Sequence, residues 1–309
     1  DAAAARTATA VHALEAGPEA TALAHVRRAA DTARAPATAP PYPVEQVAIW
    51  GGGAADAAPF LTAGFTVTLA GPDMQALRAA HATLQRWQPA SLSRLTGATA
   101  EVDLADRDLV LLAAPGPRPE GPLVVGWHAA APDLPLGLSL FGTGRRRLLE
   151  VALDAEAPPA LWSTARALAE RLGALPLRRP RGAPPLAPAL AEPWWQAADH
   201  LLEDGADPAA VEAAHADMGF AAGPLGWRDR MGLGALAAAR ARAADRRDPR
   251  ARHVPLVERL VATGRDGAAA GAGVLDWPDG PDGMSRPAAE TEALLGRLRA
   301  EAGLAPRRV

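Results

Sequence analysis

A short apolar run that ends in clustered glycines constrains the fold more than any other feature of this sequence. Residues 47–53 read Val-Ala-Ile-Trp-Gly-Gly-Gly. This pattern is typical of the first strand of a βαβ unit where it enters a phosphate-binding loop. Glycines let the backbone approach an anion, and the helix that follows directs its free N–H groups at that anion. Gly51 and Gly53 are therefore candidate residues for binding a dinucleotide.

Two further residues of the loop depart from this pattern. Asp56 holds the place of the third glycine of G-x-G-x-x-G, and Pro59 follows closely. A carboxylate repels a pyrophosphate, and proline disrupts a helix interior, so we expect a helix that starts late with Asp56 as its N-cap. The strand at 66–70 should end in an acidic residue that holds a ribose, but Gly71 stands there. The loop therefore predicts weak dinucleotide binding.

Composition narrows the function classes. The chain has 309 residues, no cysteine and a formal net charge of -3. The absence of cysteine excludes disulfides and thiolate metal sites and favours a reducing, cytoplasmic location. The net charge provides no basic field for nucleic acid, and no apolar run is long enough to span a membrane. All 32 basic residues are arginine, and asparagine is absent too, so a mechanism that needs either lysine or asparagine is excluded.

Hydrophobic periodicity divides the chain into four parts. Residues 1–44 read as a helical linker, with helices at 2–15 and 18–34 before the extended segment Pro36–Pro43. The next part, 45–180, alternates strands with helices, which indicates a parallel sheet. Residues 181–280 read as a helical domain, and residues 281–309 as a C-terminal linker or helix. The predicted elements of the sheet part are strands at 66–70, 108–113, 123–127, 136–141, 148–153 and 175–177, and helices at 73–87 and 159–172.

The helical part carries the most specific motifs. They are Leu-Leu-Glu-Asp-Gly-Ala-Asp-Pro at 201–208, Gly-Phe-Ala-Ala-Gly-Pro-Leu at 219–225, Gly-Ala-Gly at 271–273 and Asp-Trp-Pro at 276–278. With these motifs the sequence resembles the 3-hydroxyacyl-CoA dehydrogenase family, most closely the dehydrogenase part of multifunctional fatty-acid β-oxidation enzymes. The resemblance implies a Rossmann-like NAD-binding α/β domain followed by an all-α C-terminal domain. It further implies NAD as cofactor, acyl-CoA as substrate, a preceding enoyl-CoA hydratase domain and a thiolase partner.

The resemblance also assigns catalytic positions. In the family a histidine takes the proton of the 3-hydroxyl while hydride passes to NAD, and a glutamate orients that histidine. Leu-Leu-Glu-Val at 148–151 matches the glutamate motif, which places Glu150. The segment at 136–141 covers the histidine motif, and Ser139 then stands where the base belongs. In a competing register the segment 124–132 covers that motif, with His128 as the base. The family's asparagine position falls on Pro188.

Two functional hypotheses follow. One is a 3-hydroxyacyl-CoA dehydrogenase-like module, which either works despite these substitutions or has impaired or lost catalysis and is then a pseudoenzyme. The other is a non-catalytic scaffold, or an acyl-CoA-binding or partner-docking module that keeps the fold. In either case we expect Glu150 at a sheet edge facing the interdomain cleft, within reach of Ser139. Arginines 145–147 are candidates for contact with coenzyme A phosphates, and the scattered histidines predict no metal site.

Overall fold

The computed structural model describes residues 39–304 except 100–103, 129–130, 132, 143–146, 184, 221, 243, 249 and 282. The helices predicted at 2–15 and 18–34 lie outside these residues, as do Arg145 and Arg146.

One eight-stranded sheet forms the first part of the protein. Its strands are β1 (Gln46–Trp50), β2 (Thr66–Ala70), β3 (Leu95–Ala98), β4 (Leu109–Leu112), β5 (Leu123–Trp127), β6 (Leu136–Phe141), β7 (Arg147–Leu153) and β8 (Ala174–Arg179). The strand order is β3-β2-β1-β4-β5-β6-β7-β8. Neighbouring strands are parallel except β6 and β7, which are antiparallel. The predicted Rossmann-like sheet is confirmed.

The strand order places a crevice in the middle of the sheet. From β1 the chain passes to β2 on one side, whereas β4 pairs with β1 on the other side. In open α/β sheets such a switch in direction leaves a gap outside the carboxyl ends of the strands. The loop that begins at Gly51 lies at this gap.

Three helices cover one face of the sheet. They are α1 (Ala54–Thr62), α2 (Met74–Trp87) and α3 (Pro159–Arg171). Their apolar side chains form one core with alternate residues of the strands, including Ile49, Phe60, Leu84, Leu111 and Val151. The connection between β4 and β5, residues 113–122, contains no helix.

The second part is helical. Its helices are α4 (Leu186–Asp204), α5 (Pro208–Asp217), α6 (Pro224–Met231), α7 (Leu233–Arg242), α8 (Leu256–Ala262) and α9 (Ala289–Glu301). They bury a separate core that includes Leu202, Leu225, Leu260, Trp277 and Leu295. The predicted all-α domain is confirmed. Among the described residues, no helix combines the length and apolar character needed to cross a membrane.

Helix α1 begins earlier than the sequence suggested. Gly53 is its N-cap, so Asp56 lies in the first turn, and the expectation that Asp56 caps a late helix is wrong. The Gly53 N–H donates to Asp56 Oδ2 at 2.8 Å, which satisfies a free N–H at the helix start and supports the early beginning. Pro59 lies inside the helix, where its missing N–H leaves one helical hydrogen bond unmade.

We expect Asp73→Ala to lower the free energy of unfolding by about 1 kcal/mol. Asp73 Oδ1 accepts hydrogen bonds from the Gln75 and Ala76 N–H groups at 2.8 and 3.2 Å, and thereby caps α2 as predicted. Urea unfolding followed by circular dichroism measures the change. Asp73→Asn is the matched control, because its amide oxygen still caps the helix and should keep the stability close to wild type. An unchanged stability in Asp73→Ala would mean that the cap is not energetically significant.

Candidate functional site, a cleft between sheet and helices

A cavity of about 420 Å³ opens between the sheet and the helical part. On the sheet side it is lined at the carboxyl ends of β1, β4, β5 and β6 and by the first two turns of α1. The helical side contributes mainly α6 and the segment around Asp266. The cavity therefore occupies the crevice that the strand order creates, where open α/β sheets bind ligands.

His128 follows β5 at the wall of this cleft. Its side chain is 41% exposed, and its ring packs against the rings of Trp127 and Phe141. Its backbone φ of 51° lies in the left-handed region, which non-glycine residues rarely adopt and which often marks a functional site. Partial burial of the ring lowers the pKa of His128, and the negative charge of Asp56 opposes the shift.

The Asp56 side chain lies beside His128 in the lining of the cleft. Its Oδ1 lies 3.8 Å from His128 Nε2 and accepts the Trp127 Nε1–H at 2.7 Å. Its Oδ2 accepts the Gly53 N–H. The side chain is 23% exposed. The carboxylate thus lies where the N–H groups of the loop would bind an anion. It already accepts the hydrogen bond of one of them, the Gly53 N–H.

The glycines of the loop keep part of the dinucleotide geometry. Gly51 has φ 71°, and a Cβ there would lie 2.5 Å from the Ala114 Cβ, so only glycine fits. Gly71 is beside it, since a Cβ at position 71 would lie 3.7 Å from the Gly51 nitrogen. Asp73, the next acidic residue, caps α2 with Oδ1. With Asp56 at the anion position and no carboxylate at position 71, the loop does not fit NAD.

Ser139 and Glu150 lie directly opposite each other on β6 and β7. Ser139 is 1% exposed, its Oγ has no hydrogen-bond partner among the described residues, and Glu150 is fully buried. The Glu150 carboxylate accepts the N–H groups of Leu186 and Ala187 at 2.8 and 2.6 Å. Arg179 Nε lies 3.2 Å from it. Glu150 therefore holds the N-terminus of α4.

The position of this pair differs from the expectation. β7 lies between β6 and β8, so Glu150 is on an inner strand and not at a sheet edge. Neither Ser139 nor Glu150 lines the cleft, whereas His128 and Asp56 both do. Glu150 is within reach of Ser139 by register, as predicted. Helix α4 begins at Leu186, close to Pro188 in the chain, so Glu150 and the start of α4 do meet in space.

Two arginines contribute positive charge to the cleft lining. Arg147, the only described member of the predicted arginine cluster, donates to the Leu172 carbonyl at 3.1 Å. Arg230 donates from Nε to the Pro281 carbonyl at 2.8 Å and lies over the Trp277 ring. Both cations are thus fixed by the scaffold at the cleft wall. Sequence reasoning missed Arg230, whose only signal is its place shortly after Gly223 and Pro224 in a recognisable motif.

A tryptophan cluster supports the helical wall. Trp227 lines the cleft and packs against Trp194 and Trp195, with ring centroids 5.5 and 5.6 Å apart. The two α4 tryptophans therefore lie within the helical part and hold Trp227, which lines the cleft.

In the part of the chain that the structure describes, no cluster of three or more His, Asp or Glu side chains is able to hold a metal ion.

Comparison with known proteins supports this architecture. Residues 187–277 match the family model for the 3-hydroxyacyl-CoA dehydrogenase C-terminal domain. FadB2 of M. tuberculosis has the same fold, with 22% identity over 75% of this chain and 99% of its own and a TM-score of 0.56. (S)-3-hydroxybutyryl-CoA dehydrogenase PaaH1 from Ralstonia eutropha is 21% identical over 75% of this chain and 98% of its own, with a TM-score of 0.52. The dehydrogenase part of multifunctional enzyme 1 from C. elegans is 15% identical over 87% of this chain and 69% of its own, with a TM-score of 0.50.

No curated protein sequence matches the chain. The matched segment and the shared fold nevertheless confirm the resemblance to 3-hydroxyacyl-CoA dehydrogenases that the sequence motifs indicated.

Proposed function

We propose that this chain is a 3-hydroxyacyl-CoA dehydrogenase-like module of fatty-acid β-oxidation in which hydride transfer to NAD is impaired or lost. The cleft is retained as a binding site for an acyl thioester. The observation that carries the proposal is that Ser139 and Glu150 are both buried outside the cleft lining, with the Glu150 carboxylate bound to the first N–H groups of α4. A serine hydroxyl without a base of its own does not accept a proton near neutral pH.

The phosphate loop supports the same proposal. Asp56 adds negative charge where a pyrophosphate would bind and takes up the Gly53 N–H. Removing the general base of such an enzyme costs on the order of 10² to 10⁴ in rate. A weakened cofactor site adds to this loss. We therefore expect turnover far below that of a working dehydrogenase.

Acyl thioester binding is supported by the character of the cleft. Arg147 and Arg230 offer positive charge to phosphates of coenzyme A, and Trp127, Phe141 and Trp227 offer apolar surface to an acyl chain. By resemblance, the module would act beside an enoyl-CoA hydratase domain and a thiolase, in the cytoplasm. The alternative is a non-catalytic scaffold that keeps the fold and binds no ligand in the cleft.

The test combines a rate with a binding measurement. Purified chain is mixed with acetoacetyl-CoA and NADH, and NADH absorbance is followed beside (S)-3-hydroxybutyryl-CoA dehydrogenase as reference. We expect turnover at least roughly 10²-fold below the reference, together with quenching of tryptophan fluorescence by acetoacetyl-CoA. Turnover comparable to the reference would refute lost catalysis. Absence of quenching in the folded chain would favour the scaffold.

A further inference from the structure

We infer that the cleft buries only a short acyl chain and that Trp227 sets this limit. The inference rests on the proposed function, because it concerns the acyl end of the same thioester. The helical wall of the cavity is apolar along Trp227 and Met231, which lie one turn apart in α6 and share a face, and along Ala235 in α7. A wall of this kind suits methylene groups.

The sheet side of the cavity has its apolar lining in a defined place. Leu140 and Phe141 end β6 and line the cavity, whereas the polar side chains of Asp56 and His128 lie in the first turn of α1 and after β5. Burial of methylenes against apolar side chains is favourable, and burial against a carboxylate is not. The acyl chain therefore belongs between the end of β6 and the apolar wall that contains Trp227.

The indole of Trp227 has no room to retreat from a longer chain. The rings of Trp194 and Trp195 pack against it. Trp195 is 1% exposed, and the Trp194 Nε1–H donates to His215 Nε2 at 3.0 Å. Because close-packed aromatic rings leave no space for displacement, Trp227 keeps its position when the cleft is filled.

The backbone that carries Trp227 is fixed as well. Arg228, the next residue of α6, is fully buried and forms an ion pair with Asp199 of α4. Asp199 also accepts Arg240 Nη2 at 3.1 Å, which ties α7 to the same point. Moving α6 away from α4 would separate buried charges, and this is strongly unfavourable. The cavity therefore keeps its volume.

This volume gives an upper bound on the chain length. At about 30 Å³ for each non-hydrogen atom, the share of a water molecule in the liquid, 420 Å³ holds roughly 14 such atoms. The thioester group and the adjoining arm of coenzyme A take up part of this space. The cleft therefore has room for an acyl chain of about eight carbons or fewer, and further carbons stay in water.

The limit can be measured by calorimetric titration with saturated acyl-CoAs from acetyl-CoA to dodecanoyl-CoA. We expect the affinity of the wild type to rise roughly four-fold for each methylene that is buried, and to stop rising at about eight carbons or earlier. A break in the affinity at a defined chain length is the signature of a cavity with a closed end.

Two variants of Trp227 test which residue sets the break. Trp227→Ala removes the indole, so the break should move to chains longer by about two to four carbons, and Trp227→Leu should move it by less. The leucine variant decides the question if the alanine variant does not fold, which urea unfolding shows. Trp162→Leu is the matched control, because Trp162 packs against the sheet core and does not line the cavity. Its break should equal that of the wild type.

The outcomes separate this inference from the proposed function. If the folded wild type binds no acyl-CoA of the series, the proposed function fails and the inference fails with it. If affinity rises without a break up to dodecanoyl-CoA, or if the break stays in place in the folded Trp227 variants, the limit set by Trp227 is refuted while acyl thioester binding stands.

Discussion

Calorimetric titration should show that the unmodified chain binds NAD at least roughly 10²-fold more weakly than Asp56→Gly combined with Gly71→Asp. Asp56→Gly removes a negative charge and frees the Gly53 N–H for a phosphate oxygen. Gly71→Asp restores a carboxylate beside the loop. A side chain fits at position 71, because the nearest atom to a Cβ there would be the Gly51 nitrogen at 3.7 Å.

A matched variant separates charge from structure in this experiment. Asp56→Asn keeps an acceptor for the Trp127 indole and removes only the charge, so it should recover part of the gain. Unfolding curves establish that each variant folds. Micromolar NAD binding by the wild type, without gain in the double variant, would mean that the loop still works as a dinucleotide site and that dehydrogenase activity should be expected again.

The second large effect concerns stability. We expect Glu150→Ala to lower the free energy of unfolding by about 3–5 kcal/mol, because Arg179 and the first N–H groups of α4 lose their shared partner in a buried place. Urea unfolding measures the loss. Ser139→Ala is the control on the opposite strand. Its hydroxyl is buried without a described partner, so its removal should change stability by less than about 1 kcal/mol.

The same two variants distinguish a structural role from a catalytic one. If Glu150 acted mainly on a ligand, Glu150→Ala would unfold like the wild type and alter only binding or turnover. If Ser139 took part in proton transfer, Ser139→Ala would reduce any residual turnover. Either outcome would contradict the assignment of this pair to the scaffold.

Most strands could be predicted from the sequence because each is a short, largely apolar run, and several of these runs have glycine or proline next to one end. β5 and β6 begin and end at the predicted residues. β3 (Leu95–Ala98) was missed because it is short and contains a glycine. Its two end residues are buried and its two middle residues are exposed, so it lacks the alternating pattern of a strand. The start of α1 was mispredicted because an aspartate near a helix start can either cap the helix or sit in its first turn, and the sequence alone does not distinguish these.

The candidate site was only partly predictable for a physical reason. Ser139 and Glu150 lie opposite each other because β6 and β7 are neighbouring antiparallel strands close together in the chain, and the family motifs fall on both strands. The burial of Glu150 depends on Leu186, 36 residues further along the chain. The approach of Asp56 to His128 depends on the packing of α1 against β5, and the Asp56–Trp127 bond spans 71 residues. Such long-range contacts carry no signal in a local pattern.

The connector between the sheet and the helices has both of its ends bound to the same carboxylate. Arg179 ends β8, Leu186 begins α4, and Glu150 contacts both. A linker fixed in this way cannot serve as a hinge, because rotating one part against the other would separate a buried charge from its partners. The cleft should therefore keep a nearly constant width, and ligand entry would depend on rearrangement of side chains and not on movement of one part against the other.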